Sequence, residues 1–304
     1  MSSSLHAKLY ISYTCIVFWN LTMFPTIIKL DGAKLARERL IGIQQITQSL
    51  IKKPSLVIIS VGDDPASAIY VKKKLDLALQ AGFDVLHKKC DTAITEDHLH
   101  ALLDQYSNNM TIDAILIQLP LPAHLSAQKA VMHIHPDKDV DVLHPLNIGR
   151  LVLGTPLLLP CTPKGILSLM NHYNLPIKGQ QVVILGRSLI VGTPLSILMT
   201  QRGATVTLCH RDTPNPIQWI AAADIVVTAT GKEDVFPAHY LKKNSVFIDV
   251  GIIRTDQGIR GDLMFHELPL HIKAYTPVPF GIGPMTVISL MENVLTLYQH
   301  RNTI

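Results

Sequence analysis

The sequence predicts an α/β protein of two domains, in which short buried strands alternate with helices and form parallel sheets. Apolar runs rich in β-branched residues, such as 57–61 and 181–185, are typical of central strands of a parallel sheet. Segments with helical spacing separate these runs, as crossovers between parallel strands require. The length of 304 residues fits about two domains, and a hydrophobic content of 48% with 16% charge supplies large cores.

Composition narrows the class of partner. The net charge of +4 is small and no block of lysine or arginine is interleaved with aromatic residues, which argues against nucleic acid and for an anionic small ligand. His133 and His135 lack the further ligands of a metal site, so we interpret them as loop histidines and predict no metal. The cysteines lie far apart without CxxC or zinc spacing, as expected for reduced thiols of a cytoplasmic protein: Cys15, Cys90, Cys161 and Cys209.

The amino terminus does not fit the α/β pattern. The segment 9–21 is apolar and resembles the core of a signal peptide, but no small-residue cleavage site follows it. Ser12, Thr14 and Asn20 interrupt it, and it is too short for a membrane span. We interpret residues 1–23 as a non-native or misassigned extension, with a peripheral membrane anchor as the alternative. A chain that starts at Met23 is therefore expected to be soluble, dimeric and active.

The most informative segment is VIISVGDDPASAIYVKKK, residues 57–74. It predicts a buried strand followed by a helix that Asp64 caps and Pro65 begins. Tyr70 and Lys74 then lie one helical turn apart, with their polar ends within reach of each other. A phenol beside an ammonium is a plausible proton-transfer pair. The alternative is an ordinary amphipathic helix with a solvated run of lysines.

Two further segments of this lobe carry polar side chains. The second buried strand, 113–119, delivers Gln118 to its carboxyl end, where ligands of parallel sheets bind. The segment 134–150, IHPDKDVDVLHPLNIGR, is denser in polar and proline residues than the hydrophobic pattern requires. Asp139 and Asp141 are candidates for contact with a polar ligand, and a turn-rich linker is the alternative.

A second α/β unit begins with a helix near residues 162–169. The strand 181–185 is followed by GRSLIVGTP and a helix from Leu195, a strand–glycine turn–helix that can hold a pyrophosphate against helix amides. The next strand, 204–209, ends on His210 and Arg211 without a nearby acid, and this cationic pair favours the extra phosphate of NADP over NAD. The strands 223–230 and 245–250 also lead into glycine. A Rossmann-like domain that binds a different ligand is the alternative.

The last informative segment is YTPVPFGIGPMT, residues 275–286. Its many prolines and glycines between apolar flanks predict a rigid, shaped loop. A final helix, 287–298, follows, and its apolar stripe is interpreted as packing: Leu290, Met291, Val294, Leu295 and Tyr298.

Taken together, these segments resemble the bifunctional methylenetetrahydrofolate dehydrogenase/methenyltetrahydrofolate cyclohydrolase family. The resemblance spans about Ile28 to Tyr298 and depends on several motifs in order, none of which would suffice alone. They are VGDDPAS…YVKKK, DAILIQLPLP, PDKDVD…HPLNIGRL, PCTPKGI, GRSLIVGTP, ADIVVTATGK, IDVGI and TPVPFGIGPMT.

The resemblance implies a homodimeric enzyme of one-carbon metabolism that oxidises methylenetetrahydrofolate with NADP and hydrolyses the methenyl product to formyltetrahydrofolate. It implies a folate-binding catalytic domain over 24–157 and 284–304, an NADP-binding Rossmann domain over 158–283, and a folate cleft between them. The implied catalytic residues are Lys74, Tyr70 and Gln118. The implied substrate-binding residues are Asp141, Tyr70, Pro279 and Gly281, and the implied cofactor-binding residues are Gly186, Arg187, Ser188, Gly192, Arg211 and Ile253.

Three positions depart from the family pattern. Val142 stands where glycine is usual, Ile253 replaces an asparagine, and Phe280 replaces the first of two glycines. If all three border the cleft, they change the balance of the two activities more than the fold. The competing hypotheses are therefore a cyclohydrolase with weak dehydrogenase activity, a different NADP dehydrogenase, and a folate-binding protein without catalytic activity.

Overall fold

The computed structural model describes residues 27–256, 258–263 and 268–302. The extension 1–23, with Cys15, lies outside these residues. Two parallel sheets organise the described chain. One has three strands, in the order Asp84–Cys90, Ser55–Val61 and Ala114–Ile117. The other has six, in the order Ile28–Lys29, Ala274–Tyr275, Val246–Asp249, Ile225–Thr228, Gln181–Leu185 and Thr205–Cys209. No helix among the described residues is long and apolar enough to cross a membrane. The predicted α/β class with parallel sheets and two lobes is confirmed.

The first lobe contains the three-stranded sheet and its helices. In chain order its elements are α1 (Gly32–Gln48), β2 (Ser55–Val61), α2 (Pro65–Gln80), β3 (Asp84–Cys90), α3 (Glu96–Asn108), β4 (Ala114–Ile117), α4 (Ala127–Met132) and α5 (Pro145–Val152). The two-residue strand β1 (Ile28–Lys29) precedes them in the chain, but it pairs with the second sheet.

The second lobe contains the six-stranded sheet. Its elements are α6 (Cys161–His172), β5 (Gln181–Leu185), α7 (Gly192–Gln201), β6 (Thr205–Cys209), α8 (Ile217–Ala222), β7 (Ile225–Thr228), β8 (Val246–Asp249), a two-stranded hairpin of β9 (Ile253–Thr255) and β10 (Gly258–Arg260), and β11 (Ala274–Tyr275). The helix α9 (Ile282–Asn302) follows.

The start of α2 follows the predicted local chemistry. Asp64 is the N-cap and accepts a hydrogen bond from the backbone N–H of Ser67 at 2.7 Å, while Pro65 occupies the first helical turn. Because the cap fixes where the helix begins, it also fixes which side chains of α2 face β2 and the second lobe.

The last helix joins the two lobes. α9 packs on α1, α2 and α6, and one continuous hydrophobic cluster runs from Leu56 of the first sheet through Met285 and Leu290 to Ile184 of the second sheet. The predicted stripe was too narrow, because Ser289, Asn293 and Leu297 are also fully buried. The helix also begins five residues earlier than predicted, at Ile282. A helix that is buried on all sides has no polar face, so the alternation of polar and apolar residues no longer marks its buried stripe or its ends.

Candidate active site

A lysine and a glutamine meet at the carboxyl end of the first sheet. Lys74 is half-buried on α2, and its Nζ donates a hydrogen bond to Oε1 of Gln118 at 2.9 Å. Gln118 follows β4, and its own Nε2 donates to the carbonyl of Leu119 at 2.6 Å. Because the amide nitrogen is held by a carbonyl, the amide oxygen faces the lysine. The pair lines a cavity of about 130 Å³ together with Asp141, Cys161 and Thr162.

The pairing of Tyr70 with Lys74, predicted from their helical spacing, stays a prediction. Nζ of Lys74 donates to Gln118, and among the described residues no hydrogen bond joins Lys74 to Tyr70. The neighbouring Lys73 lies against Tyr70 instead, with its Nζ 5.9 Å from the ring centroid. Burial raises the pKa of Tyr70, although the positive charge of Arg254 opposes this shift. The phenol of Tyr70 is therefore neutral near pH 7 and can donate a hydrogen bond.

Asp139 and Asp141, the two acids that the sequence offers for contact with a ligand, have different environments. Asp139 is buried, and its Oδ2 accepts hydrogen bonds from the backbone N–H of His144 at 2.8 Å and from Nδ2 of Asn147 at 2.9 Å. Burial raises the pKa of Asp139, although these hydrogen bonds oppose the shift. Asp141, two residues later, lines the cavity with Lys74. Asp139 therefore organises the loop, and Asp141 is the acid available to a ligand.

Next to this cavity lies Asn293, which the sequence analysis did not single out and whose Nδ2 is 3.6 Å from Sγ of the lining residue Cys161. Nδ2 of Asn293, fully buried on α9, donates to the carbonyls of Val140 at 3.0 Å and Leu159 at 2.9 Å. Cys161 also lines the cavity, and burial together with the negative charge of Asp141 raises the pKa of its thiol well above the usual range. Cys161 is therefore a neutral thiol, and it forms no disulfide in the described chain.

A larger cavity of about 380 Å³ lies between the lobes. α1 and α2 form one wall, which includes Tyr70, and the segments 249–252 and 277–284 form the other. Pro279 and Gly281 line it, as the resemblance implied, and Phe280 lies between them. Gly281 must be a glycine, because a Cβ there would lie 2.5 Å from the carbonyl oxygen of Pro277.

The three positions that depart from the family pattern do not all border the cavity. Val142 and Phe280 both have left-handed backbone, with φ of 61° and 86°, which glycine adopts without strain. Val142 is buried in the core, whereas Phe280 lines the larger cavity and is 58% exposed. Ile253 is the half-buried first residue of β9. Of the three residues that depart from the family pattern, Phe280 is therefore the one that can contact a ligand in the larger cavity.

The turn between β5 and α7 has the form of a phosphate-binding loop. Gly186 has φ of 115°, and a Cβ there would lie 2.4 Å from the carbonyl oxygen of Ala229. A Cβ on Gly192, the first residue of α7, would lie 1.8 Å from the carbonyl oxygen of Gly186. No side chain caps α7. Two glycines thus bring an uncapped helix N-terminus against the end of the strand, where a pyrophosphate can accept hydrogen bonds from backbone amides.

The remaining predicted cofactor residues surround this turn. Arg187 and Ser188 are exposed, and Oγ of Ser188 accepts a hydrogen bond from the backbone N–H of Val191 at 3.2 Å. The side chain of Arg211, after β6, is 83% exposed, but its Nε lies 3.7 Å from Oδ1 of Asp212. The premise that no acid lies near Arg211 is therefore wrong, because the next residue forms an ion pair with it.

The fold, the two cavities and the turn between β5 and α7 define a two-lobed α/β enzyme with a dinucleotide-binding lobe. Residues 30–141 match the family model of the tetrahydrofolate dehydrogenase/cyclohydrolase catalytic domain, and residues 160–302 match that of its NAD(P)-binding domain. The chain belongs to the tetrahydrofolate dehydrogenase/cyclohydrolase family.

Relatives and solved structures agree with this assignment. The chain is 41% identical over 278 residues to the bifunctional protein FolD of Hydrogenobaculum, covering 90% of this chain and 99% of that protein. It resembles the crystal structure of the Campylobacter jejuni bifunctional enzyme FolD, with a TM-score of 0.87, 35% identity and coverage of 91% of this chain and 100% of that one. It also resembles the Trypanosoma brucei dehydrogenase–cyclohydrolase complexed with NADP and inhibitor, with a TM-score of 0.87, 30% identity and coverage of 91% and 99%.

Proposed function

We propose that this chain carries out two consecutive reactions in one elongated site: NADP-dependent oxidation of methylenetetrahydrofolate, and hydrolysis of the methenyl product to formyltetrahydrofolate. The observation that supports it best is the Lys74–Gln118 hydrogen bond, in a cavity that also contains Asp141, within a chain of this family. The proposed division into a folate domain, 24–157 with 284–304, and a Rossmann domain, 158–283, places this site at their boundary, although β1 pairs with the second sheet.

The two cavities suit the two ends of a folate. Asp141 is the proposed partner of the pterin ring, since a carboxylate accepts hydrogen bonds from the amino group and ring N–H of a pterin. Tyr70, Pro279 and Gly281 are the proposed walls for the aryl part of the substrate, because the larger cavity is mostly apolar and a phenol ring can stack on an aromatic ring. The carbon bridge between these two parts then lies near Lys74.

Lys74 is proposed to act in the hydrolytic step. Water adds to the methenyl carbon, a carbon–nitrogen bond breaks, and one proton leaves for each turnover, so this step needs a group that moves protons. Nζ of the lysine donates a hydrogen bond to Gln118, whose fixed amide oxygen holds the lysine side chain at the cavity. Oxidation releases no proton, and it depends on the relative placement of two ligands.

NADP, when bound, supplies the acceptor for the hydride that leaves the methylene bridge. The residues present fit this cofactor, since Gly186 and Gly192 form a close strand–helix junction that any Cβ would block. We propose that this junction and Ser188 hold the pyrophosphate, and that Arg187 and Arg211 bind the adenosine end. Ile253, on the hairpin of β9 and β10, is the remaining residue proposed to contact NADP.

Arg211 gives the first prediction. Arg211→Glu is expected to raise the KM for NADP at least ten-fold, because a charge-assisted contact to the 2′-phosphate, worth roughly 1.5–3 kcal/mol, becomes a repulsion. Steady-state rates with NADP and with NAD provide the measurement. Asp212→Asn is the matched control, since it frees the arginine from its ion pair and is expected to lower the KM for NADP or leave it unchanged. Equal use of NAD and NADP by the wild-type chain would contradict the assignment.

Phe280 gives the second prediction. Phe280→Gly is expected to increase the rate of oxidation a few-fold and to change hydrolysis little, because an aromatic ring on the wall of the cavity crowds two ligands whose placement controls hydride transfer. Phe280→Ala separates the ring from the backbone, since alanine removes the ring but retains the cost of left-handed backbone. Both rates are measured for each variant. Unchanged rates in both would make Phe280 a neutral difference.

A direct assay tests the proposed function. The purified chain is incubated with methylenetetrahydrofolate and NADP, and the reduced cofactor, methenyl and formyl products are followed separately. Formation of all three is expected. Hydrolysis of added methenyltetrahydrofolate without oxidation would favour the cyclohydrolase alternative. Binding of folate without turnover would favour the non-catalytic alternative.

We also propose that the enzyme is a cytoplasmic homodimer without nucleic-acid or membrane partners. β3 is an edge strand of the three-stranded sheet, and most of its residues are exposed, including Leu86 at 46%. A surface groove of about 480 Å³ runs beside it, lined by residues 88–91 and parts of α3. An edge strand of seven residues with an exposed leucine is the kind of surface that a second copy can cover.

A further inference from the structure

A row of polar side chains crosses the first sheet at its carboxyl end. Ile58 pairs with His87 on β3, and Ile59 pairs with Ile117 on β4, so Ser60 and Gln118 are the next neighbours along β2 and β4. Side chains alternate between the two faces of a sheet. His87, Ser60 and Gln118 therefore project from the face of Ile58 and Leu116, which packs against α2.

Hydrogen bonds join both ends of this row. Oγ of Ser60 lies 2.9 Å from Nε2 of His87, and Nζ of Lys74 lies 2.9 Å from Oε1 of Gln118. Between the two pairs lies a cavity of about 190 Å³, lined by Ser60, His87 and Gln118. Gln118 lines both this cavity and the smaller cavity of Lys74, so one amide borders the two spaces. A cavity of this size can hold water, and its polar side chains supply hydrogen-bond partners for it.

The two proposed reactions differ in whether a proton must leave the site. Oxidation transfers a hydride and leaves the substrate as a methenyl cation, so no proton is released. In hydrolysis the water oxygen forms a bond to that carbon, the electron pair of the broken carbon–nitrogen bond goes to nitrogen, and one net proton must leave. A half-buried Lys74 that accepts this proton must return it to solvent before the next turnover.

We propose that Ser60 and His87 form the proton exit of the hydrolytic step, linked to Lys74 through water beside Gln118. This inference rests on the proposed function. Both residues act through water and through Lys74, so they are relay and positioning residues rather than catalytic ones. His87 is exposed on β3, on the opposite face of the sheet from Leu86, so the route reaches the surface on the side away from the proposed dimer contact.

The surroundings of His87 suit this role. Burial and the positive charge of Lys89 lower the pKa of His87 from its usual 6.5, so the imidazole is neutral near pH 7 and can accept a proton. The other charged groups lining the cavity are Lys72 on α2 and Asp63 and Asp64 before it. Asp63 and Lys89 form an ion pair with each other. These charges compensate one another, so the cavity has no strong net charge.

The proton exit is tested by measuring the rates of oxidation and hydrolysis separately for two variants of the full chain, His87→Gln and Ser60→Ala. Each is expected to lower kcat for hydrolysis of methenyltetrahydrofolate by about ten-fold. Oxidation of methylenetetrahydrofolate with NADP should be unchanged, since it releases no proton. Ser55→Ala, at the opposite end of β2, is the matched control and should change neither rate.

The pH profile distinguishes a proton exit from a structural role. Wild-type hydrolysis is expected to fall as the pH drops through the pKa of His87, below 6.5, because a protonated imidazole cannot accept a proton. This limb should disappear in His87→Gln, and added imidazole should restore part of the lost rate. An equal fall in both reactions, or unchanged hydrolysis in an active enzyme, would overturn the exit. A wild-type chain without either activity would instead contradict the proposed function.

Discussion

Lys74→Met is expected to reduce hydrolysis of methenyltetrahydrofolate by about 100-fold or more. Methionine keeps much of the stem of lysine but cannot carry a proton, and it leaves Oε1 of Gln118 without its donor. Oxidation should fall far less, because the lysine has no proton to move in that step. The two rates are measured on the same preparation.

Two further substitutions serve as controls for this prediction. Lys53→Met removes an exposed lysine of the same lobe and should leave both rates unchanged. Tyr70→Phe should weaken turnover without abolishing it, since the ring remains as a wall of the larger cavity. Hydrolysis by Lys74→Met at the wild-type rate would show that another group carries the proton.

Gly192→Val should have the largest effect on stability. The first side-chain atom would lie 1.8 Å from the carbonyl oxygen of Gly186, and backbone on both sides prevents relief by rotation of a side chain. We expect a loss of about 3 kcal/mol in the free energy of unfolding, since β5 and α7 must separate. The KM for NADP should rise about ten-fold or more, because the same junction is the proposed pyrophosphate site.

Denaturant unfolding and NADP kinetics measure these two effects. Gly149→Ala is the matched control, because no atom lies within 4 Å of a Cβ at this helical position and alanine favours a helix. It should leave stability and NADP binding unchanged or slightly improved. Wild-type stability and KM in Gly192→Val would mean that the strand–helix contact is not required.

Local chemistry explains which parts of the fold were predictable. The cap at Asp64 with Pro65 was read correctly, and the strand 181–185 has the bounds predicted. Each depends on neighbours in sequence, such as an N-cap side chain or a short β-branched run between turns. The start of α7 was predicted three residues late, because Gly192 and Pro194 are poor helix formers that tertiary contact nevertheless places in the first turn.

The site was less predictable where it depends on residues far apart in sequence. Asn293 holds the carbonyl of Val140 across 153 residues, and no local pattern marks it. The direction of the Lys74 side chain was also hidden, because helical spacing offers Tyr70 as a neighbour while Gln118 comes from another strand. Asp212 was visible beside Arg211, but its side-chain direction was not.

The time course of the coupled reaction in Lys74→Met tests the central claim most directly. The variant is given methylenetetrahydrofolate and NADP, and NADPH, methenyl and formyl products are measured together. NADPH is expected to form and methenyltetrahydrofolate to accumulate, whereas the wild-type chain converts the methenyl product to formyltetrahydrofolate. Formyl product that appears as fast as in the wild type would contradict the claim that Lys74 manages the proton of hydrolysis.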